Sequence, residues 1–136
     1  MGTFAGFAAA LGQIAANLPK AQHEALTEAA VLVETEAKAS LGTHEYSWPP
    51  LKPATIARKV TGDSPGLETG ALKESYGHTV FADHALIGTN DPNGRFFEIG
   101  TSRQAPRPVL LTTCIRHKGE FEKILHRKVT SVMKLR

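Results

Sequence analysis

Cysteine is almost missing from this chain: Cys114 stands alone among 136 residues, which excludes an internal disulfide and any CxxC redox or metal motif. A reducing compartment suits such a sequence. Aromatic residues amount to only 7%, and Phe121 is the one aromatic near the basic C-terminal stretch, so a stacking platform for single-stranded nucleic acid is not expected. No apolar run reaches membrane-spanning length, and Met1-Gly2-Thr3-Phe4 lacks the basic flank of a secretory signal. Neither membrane insertion nor that export route is expected. Gly6 stands where a myristoylation signal starting at Gly2 requires Ser or Thr, which argues against a lipid anchor.

What is present fits one compact domain over residues 1–136, with 41% apolar and 21% charged residues. Twelve glycines and eight prolines imply several turns and a mixed fold rather than a helical bundle. The net charge of +3 is unevenly spread: residues 1–100 carry 7 Lys/Arg against 11 Asp/Glu, and residues 101–136 carry 9 against 2. A solvated basic face, a nucleic-acid contact and complementarity between neighbouring subunits all produce such an asymmetry.

Phe4, Phe7, Leu11, Ile14 and Leu18 recur at spacings of three and four, predicting a first helix capped by Thr3 and interrupted at Pro19. Leu26, Ala30, Val33, Ala37 and Leu41 predict a second helix over about Lys20–Ser40, stopped by Gly42. Its alanine-rich stripe suits a core face or a close subunit contact. Residues 42–69, with four prolines and three glycines, read as a long loop that includes a short helix over Pro53–Val60 and Trp48 as a plug over the core edge. Thr69 is expected to cap a short helix carrying Leu72 and Ser75. From Tyr76 the period changes to two, predicting a hairpin that turns at Asp83-His84. Asp91 and Pro92 then start a helix that packs Phe96 and Ile99 inward and stops at Gly100. Pro106 and Pro108 predict an extended edge leading into Val109–Leu111, and Ile115, Phe121, Leu125, Val129 and Val132 predict a final helix from Thr113 onward.

No constellation for catalysis emerges, and neither a catalytic residue, a cofactor nor a metal is expected. The six histidines contain no HxH and no helical pair flanking a carboxylate. Cys114 and His117 share a helix face but lack an orienting third group. Ser75, His78 and Asp83 are close in sequence, but a triad is recognised by geometry and chain spacing does not report one, and Gly88, Gly94 and Arg95 do not make a phosphate loop. The basic stretch that includes Lys123, Arg127 and Lys128 offers phosphate contacts, which supports a second reading as a small basic nucleic-acid-binding protein acting through its C-terminal helix.

Three segments carry a resemblance: Leu67-Glu68-Thr69-Gly70-Ala71-Leu72-Lys73-Glu74-Ser75, Phe96-Phe97-Glu98-Ile99-Gly100-Thr101, and Arg107-Pro108-Val109-Leu110. In this order and spacing they resemble the tail-completion or minor tail proteins of tailed bacteriophages. In that family a Thr-Gly-x-Leu-x-x-Ser segment is followed by an aromatic stretch ending Glu-Phe-Gly-Thr and by Arg-Pro-Phe-Leu. Trp48-Pro49-Pro50-Leu51, with Thr55 and Lys59, is similar to the tryptophan loop of related virion morphogenesis proteins. Glu68, Ile99 and Val109 depart from the family's usual Asp, Phe and Phe.

The resemblance implies an α+β fold with N-terminal helices, a small antiparallel sheet, short helices in the connections and a C-terminal helix, in agreement with the mixed layout read from the residues. It also implies a non-enzymatic virion protein of the tail or neck, assembled in the bacterial cytoplasm as a ring, commonly of six copies, beside other neck and tail proteins and packaged DNA. Glu98, Thr101, Arg103 and Arg107, neighbours of the punctuating glycine and proline, are the candidate subunit-contact residues; Lys123, Arg127 and Lys128 are the candidate DNA-facing ones. Arg107 suits bidentate pairing with a neighbour's carboxylate.

Overall fold

The computed structural model describes residues 3–133, so Met1, Gly2, Lys134, Leu135 and Arg136 lie outside the described residues. The fold is α+β: a long N-terminal helix, a two-stranded antiparallel sheet, short connecting helices and a C-terminal helix. Helix α1 (Phe4–Ser40) is continuous through Pro19, contrary to the two helices expected. Proline deprives the carbonyl four residues earlier of its donor and crowds it with its ring, but here both Pro19 and Ala15 are exposed, where that carbonyl can tilt toward water. At about 1.5 Å per residue, α1 is about 55 Å long. The Thr3 hydroxyl caps it by accepting the Gly6 N–H at 3.0 Å.

The two halves of α1 differ. Ala21, Ala25, Ala30, Val33 and Ala37 are buried, because the hairpin and the last two helices pack along that face. The earlier stripe remains open, with Phe4 86% and Phe7 61% exposed. Alanine on the covered half allows close approach, and its role there is that of a core face.

Residues 42–69 contain only α2 (Pro53–Arg58), shorter than expected at its C-terminal end. The segment is pinned along its length. The Gly42 N–H donates to the Pro65 carbonyl at 2.6 Å, and Lys59 Nζ donates to the Ser64 and Leu67 carbonyls at 3.0 and 2.9 Å. Gly66 is required where it stands: its φ is +79°, and a Cβ would approach Leu41 Cδ2 to 2.6 Å.

Helix α3 (Ala71–Ser75) begins after Gly70 in the left-handed conformation; Gly70, not Thr69, occupies the cap position, although the Thr69 hydroxyl accepts the Ala71 N–H at 3.3 Å. Strands β1 (Tyr76–Val80) and β2 (Ala85–Thr89) form the expected hairpin, in register from Tyr76 opposite Thr89 to Val80 opposite Ala85. Helix α4 (Pro92–Ile99) starts as expected, its Asp91 carboxylate accepting the Asn93 N–H at 2.9 Å. Its inward face is not the expected one. Phe96 and Ile99 are exposed, while Gly94 is buried and Phe97 packs on the core. A Cβ at Gly94 would collide with Thr89 Cγ2, so this glycine lets α4 lie against the end of β2 and sets its rotation.

Where an edge strand or extended segment is expected to lead into Val109–Leu111, residues 105–108 carry no regular element and α5 (Leu110–Arg116) begins. Glu98 causes this. Its carboxylate accepts the Val109 N–H at 2.7 Å and also the Leu110 N–H, supplying acceptors and negative charge to a helix start that has no cap of its own. Helix α6 (Lys118–Met133) follows, with His117 separating it from α5, and runs antiparallel to α1. Ile124 is its buried residue; Ile115 and Leu125, expected inside, are exposed.

The main core gathers Ala37, Leu41, Tyr46, Trp48, Leu72, Tyr76 and Val109, with Phe97 and Leu110 against it. Tyr46 and Trp48 meet edge to face at 5.5 Å; the Tyr46 hydroxyl pairs with Thr113 Oγ1 at 2.7 Å, and the Trp48 indole N–H donates to the Pro108 carbonyl at 3.0 Å. Trp48 thus joins the long segment to the chain just before α5.

Candidate functional site

The four residues expected to make subunit contacts divide into two pairs. Glu98 is half-buried and spent on the start of α5, and Arg107 is only 6% exposed. Charge favours the surface and hence a subunit contact, but internal partners hold both side chains within the fold. Arg107 Nε donates to the Pro49 carbonyl at 2.9 Å and Nη2 to the Pro50 carbonyl at 3.2 Å, while its own N–H donates to the Phe97 carbonyl at 2.7 Å. Thr101 and Arg103 are exposed, on a tight reversal closed by a bridge between Thr101 and Gln104.

Arg107 lies in the wall of a groove of about 820 Å³ between residues 49–69 and the start and end of α4. Pro50, Leu51, Leu72 and Phe97 form apolar parts of the lining; Lys52, Arg58, Lys59 and Arg103 bring further positive charge. Lys59 is neutralised by Glu68 at 3.3 Å. Among the described residues no carboxylate stands at ion-pair distance from Lys52, Arg58, Arg103 or Arg107. Burial lowers the Arg107 pKa from its ordinary value, but a guanidinium keeps its charge in proteins. The groove therefore holds a buried cation held by carbonyl dipoles alone, with three exposed cations around it.

The candidate DNA-facing residues are placed differently. Arg127 bonds to Glu28, and Lys128 Nζ lies 3.5 Å from Glu24 and 3.8 Å from Glu28. Much of the positive charge of α6 thus meets the negative charge of α1 within the chain. The Arg127 hydrogen bond also holds the Glu28 carboxyl below its usual range. Lys123 is exposed and has no ion-pair partner among the described residues.

The residues weighed for catalysis are not brought together. His117 faces Glu120 at 3.2 Å and Glu36 at 3.7 Å, and desolvation raises the Cys114 pKa, the opposite of thiolate activation. Ser75 bonds to the Leu72 carbonyl and to Thr89, His78 to Glu34, and Asp83 to His84 at the far end of the hairpin. Among the described residues no three His, Cys, Asp or Glu side chains gather as a metal would require. The Tyr76 hydroxyl is buried without a hydrogen-bond partner, and desolvation together with the charges of Glu98 and Asp91 pushes its pKa far above the usual phenol value.

Sequence reasoning missed Lys52 and Arg58 as members of one site with Arg103 and Arg107. The repeated basic residues that follow Pro49-Pro50 are the available signal, but nothing in their spacing joins them to residues 103–107. The three family-like segments do converge in space: Leu72, Phe97 and Val109 share the core, and Glu98 ties the second segment to the third. No protein-family model matches the chain, and no curated protein or solved structure matches it either.

Proposed function

We propose that the protein is a structural virion component of a tailed phage or prophage, a ring-forming neck or tail subunit that completes the tail end and joins tail to head. The observation that carries this reading is the ordered set of three family-like segments, whose residues pack into one corner of the fold. Two surface features support an assembling role. The stripe Phe4, Phe7 and Leu11 lies on a stretch, residues 3–19, without a single charge, and it is uncovered, as contact surfaces between proteins are. The groove beside Arg107 holds cations that have no ion-pair partner among the described residues.

A ring subunit presents two unlike surfaces that meet head to tail and close. Nucleic-acid binding through α6 is the weaker reading, because Arg127 and Lys128 are already engaged by glutamates of α1. The test is deletion of the gene from the phage that carries it, followed by electron microscopy of the particles. Filled heads with unjoined or malformed tails are expected; normal infectious particles would overturn the proposal.

A further inference from the structure

The groove and the hairpin are joined at one end only. Leu72, Asp91 and Asn93, which stand just before β1 and just after β2, line the groove. From there five-residue strands carry the chain away, about 17 Å at the usual rise of a strand, to the turn at 81–84. The Phe81 N–H closes this turn on the His84 carbonyl at 2.7 Å.

At the tip stands a compact group with one carboxylate, Asp83, paired with His84 at 2.6 Å. The Asp83 side chain is 80% exposed, and beside it Phe81, itself exposed, stacks on the His84 ring at 4.6 Å. The groove offers an excess of cations, the guanidinium of Arg107 and the exposed Lys52, Arg58 and Arg103, over the two carboxylates of its lining, Glu68 and Asp91, with apolar walls from Pro50 and Leu51. Arg107 donates two of its five N–H groups to carbonyls and has no other acceptor among the described residues. A carboxylate suits that fork better than further backbone carbonyls do.

We infer that the groove receives the tip of the hairpin from a second copy of this chain, with Asp83 placed against Arg103 and Arg107 and Phe81 against the proline wall. The inference deepens the ring-subunit reading and rests on it. Because the tip stands a hairpin's length from its own groove, the contact is between unlike surfaces, and such contacts repeat from copy to copy until a ring closes.

The test is an NMR titration of dilute isotope-labelled full-length chain with unlabelled full-length chain at up to about millimolar concentration, the range of weak self-association. Amide shifts are expected both at residues 49–59 and 103–107 and at residues 81–84. Unlabelled Asp83→Lys should abolish the groove shifts and keep those at the tip; unlabelled Arg103→Glu should do the reverse, each weakening its contact on the order of tenfold or more. Asp83→Lys titrated into labelled Arg103→Glu should restore the groove shifts. Both substitutions fall on exposed side chains and leave the core untouched. No shifts at the highest concentration, groove shifts that survive Asp83→Lys, or groove shifts given by acetate or phosphate but not by a second copy would each overturn the inference. Its failure is distinguishable from failure of the virion reading, which particle morphology decides.

Discussion

Along the seam between α1 and α6, Arg127 and Lys128 face Glu24 and Glu28 of the same chain, whereas in the groove beside residues 49–59 the cations Lys52, Arg58, Arg103 and Arg107 have no carboxylate of the described residues at ion-pair distance, although Glu68 and Asp91 share the lining. Both regions are rich in arginine and lysine. The seam uses charge to register two helices within one fold; the groove keeps charge available for something outside it. The uneven distribution along the sequence therefore misleads if each half is taken as a separate surface. The acidic part and the basic end meet at Arg127 and Lys128, and other cations without ion pairs gather where residues near 50 and near 105 come together.

The largest effect is expected where the seam meets the core. Ala37 is fully buried, and Ala37→Leu should lower stability by about 1–3 kcal/mol through overpacking, read as a lower urea midpoint. An unchanged midpoint would mean that the helix and hairpin do not press on this face. Next comes Arg107→Met, which frees the Pro49 and Pro50 carbonyls. Each lost charged hydrogen bond is worth about 1.5–3 kcal/mol, partly offset by removal of a buried cation, so a net loss of about 1–2 kcal/mol is expected, with a shift in Trp48 fluorescence. A variant as stable as the parent would show that the guanidinium does not hold this segment.

Smaller changes separate the two regions by charge alone. Glu24→Gln with Glu28→Gln should leave thermal unfolding almost unchanged, since exposed pairs contribute little, yet raise the salt needed to elute the chain from heparin by releasing Arg127 and Lys128. Equal elution would mean that those cations were never neutralised. The smallest effect concerns acid. Glu34, bonded to Lys38 and His78, has its carboxyl pKa lowered from the ordinary 4.5, so it contributes stability above that value and loses it as pH falls through the lowered value. Glu34→Gln should flatten the stability profile in that acid range only, as followed by circular dichroism; an identical acid limb would deny the pair any role.

The sequence made legible what depends on neighbours in the chain. The hairpin from Tyr76 to Thr89, the Asp91-Pro92 helix start and the buried stripe Ala30, Val33 and Ala37 all follow from local period and capping. What was not legible depends on distant partners or on solvent. Pro19 is tolerated because its helix faces water there; α5 begins where an extended segment is expected because Glu98, eleven residues before Val109, caps it; Gly94 rotates α4 so that Phe97 rather than Phe96 turns inward. At the site, Arg103 is exposed as a contact residue should be, whereas Arg107 is buried, and no local pattern shows that two proline carbonyls will accept its N–H groups.

The contrast between seam and groove can be measured in one experiment. Isotope-labelled and unlabelled full-length chains are mixed at about millimolar concentration, where weak association is populated, treated with a carbodiimide that couples lysine directly to carboxylate, and their linked peptides are analysed by mass spectrometry. The account expects Lys128 to link to Glu24 and Glu28 within one chain, and Lys52 to link to Asp83 in mixed-isotope pairs. Mixed-isotope links from Lys128, with none from Lys52, would contradict it.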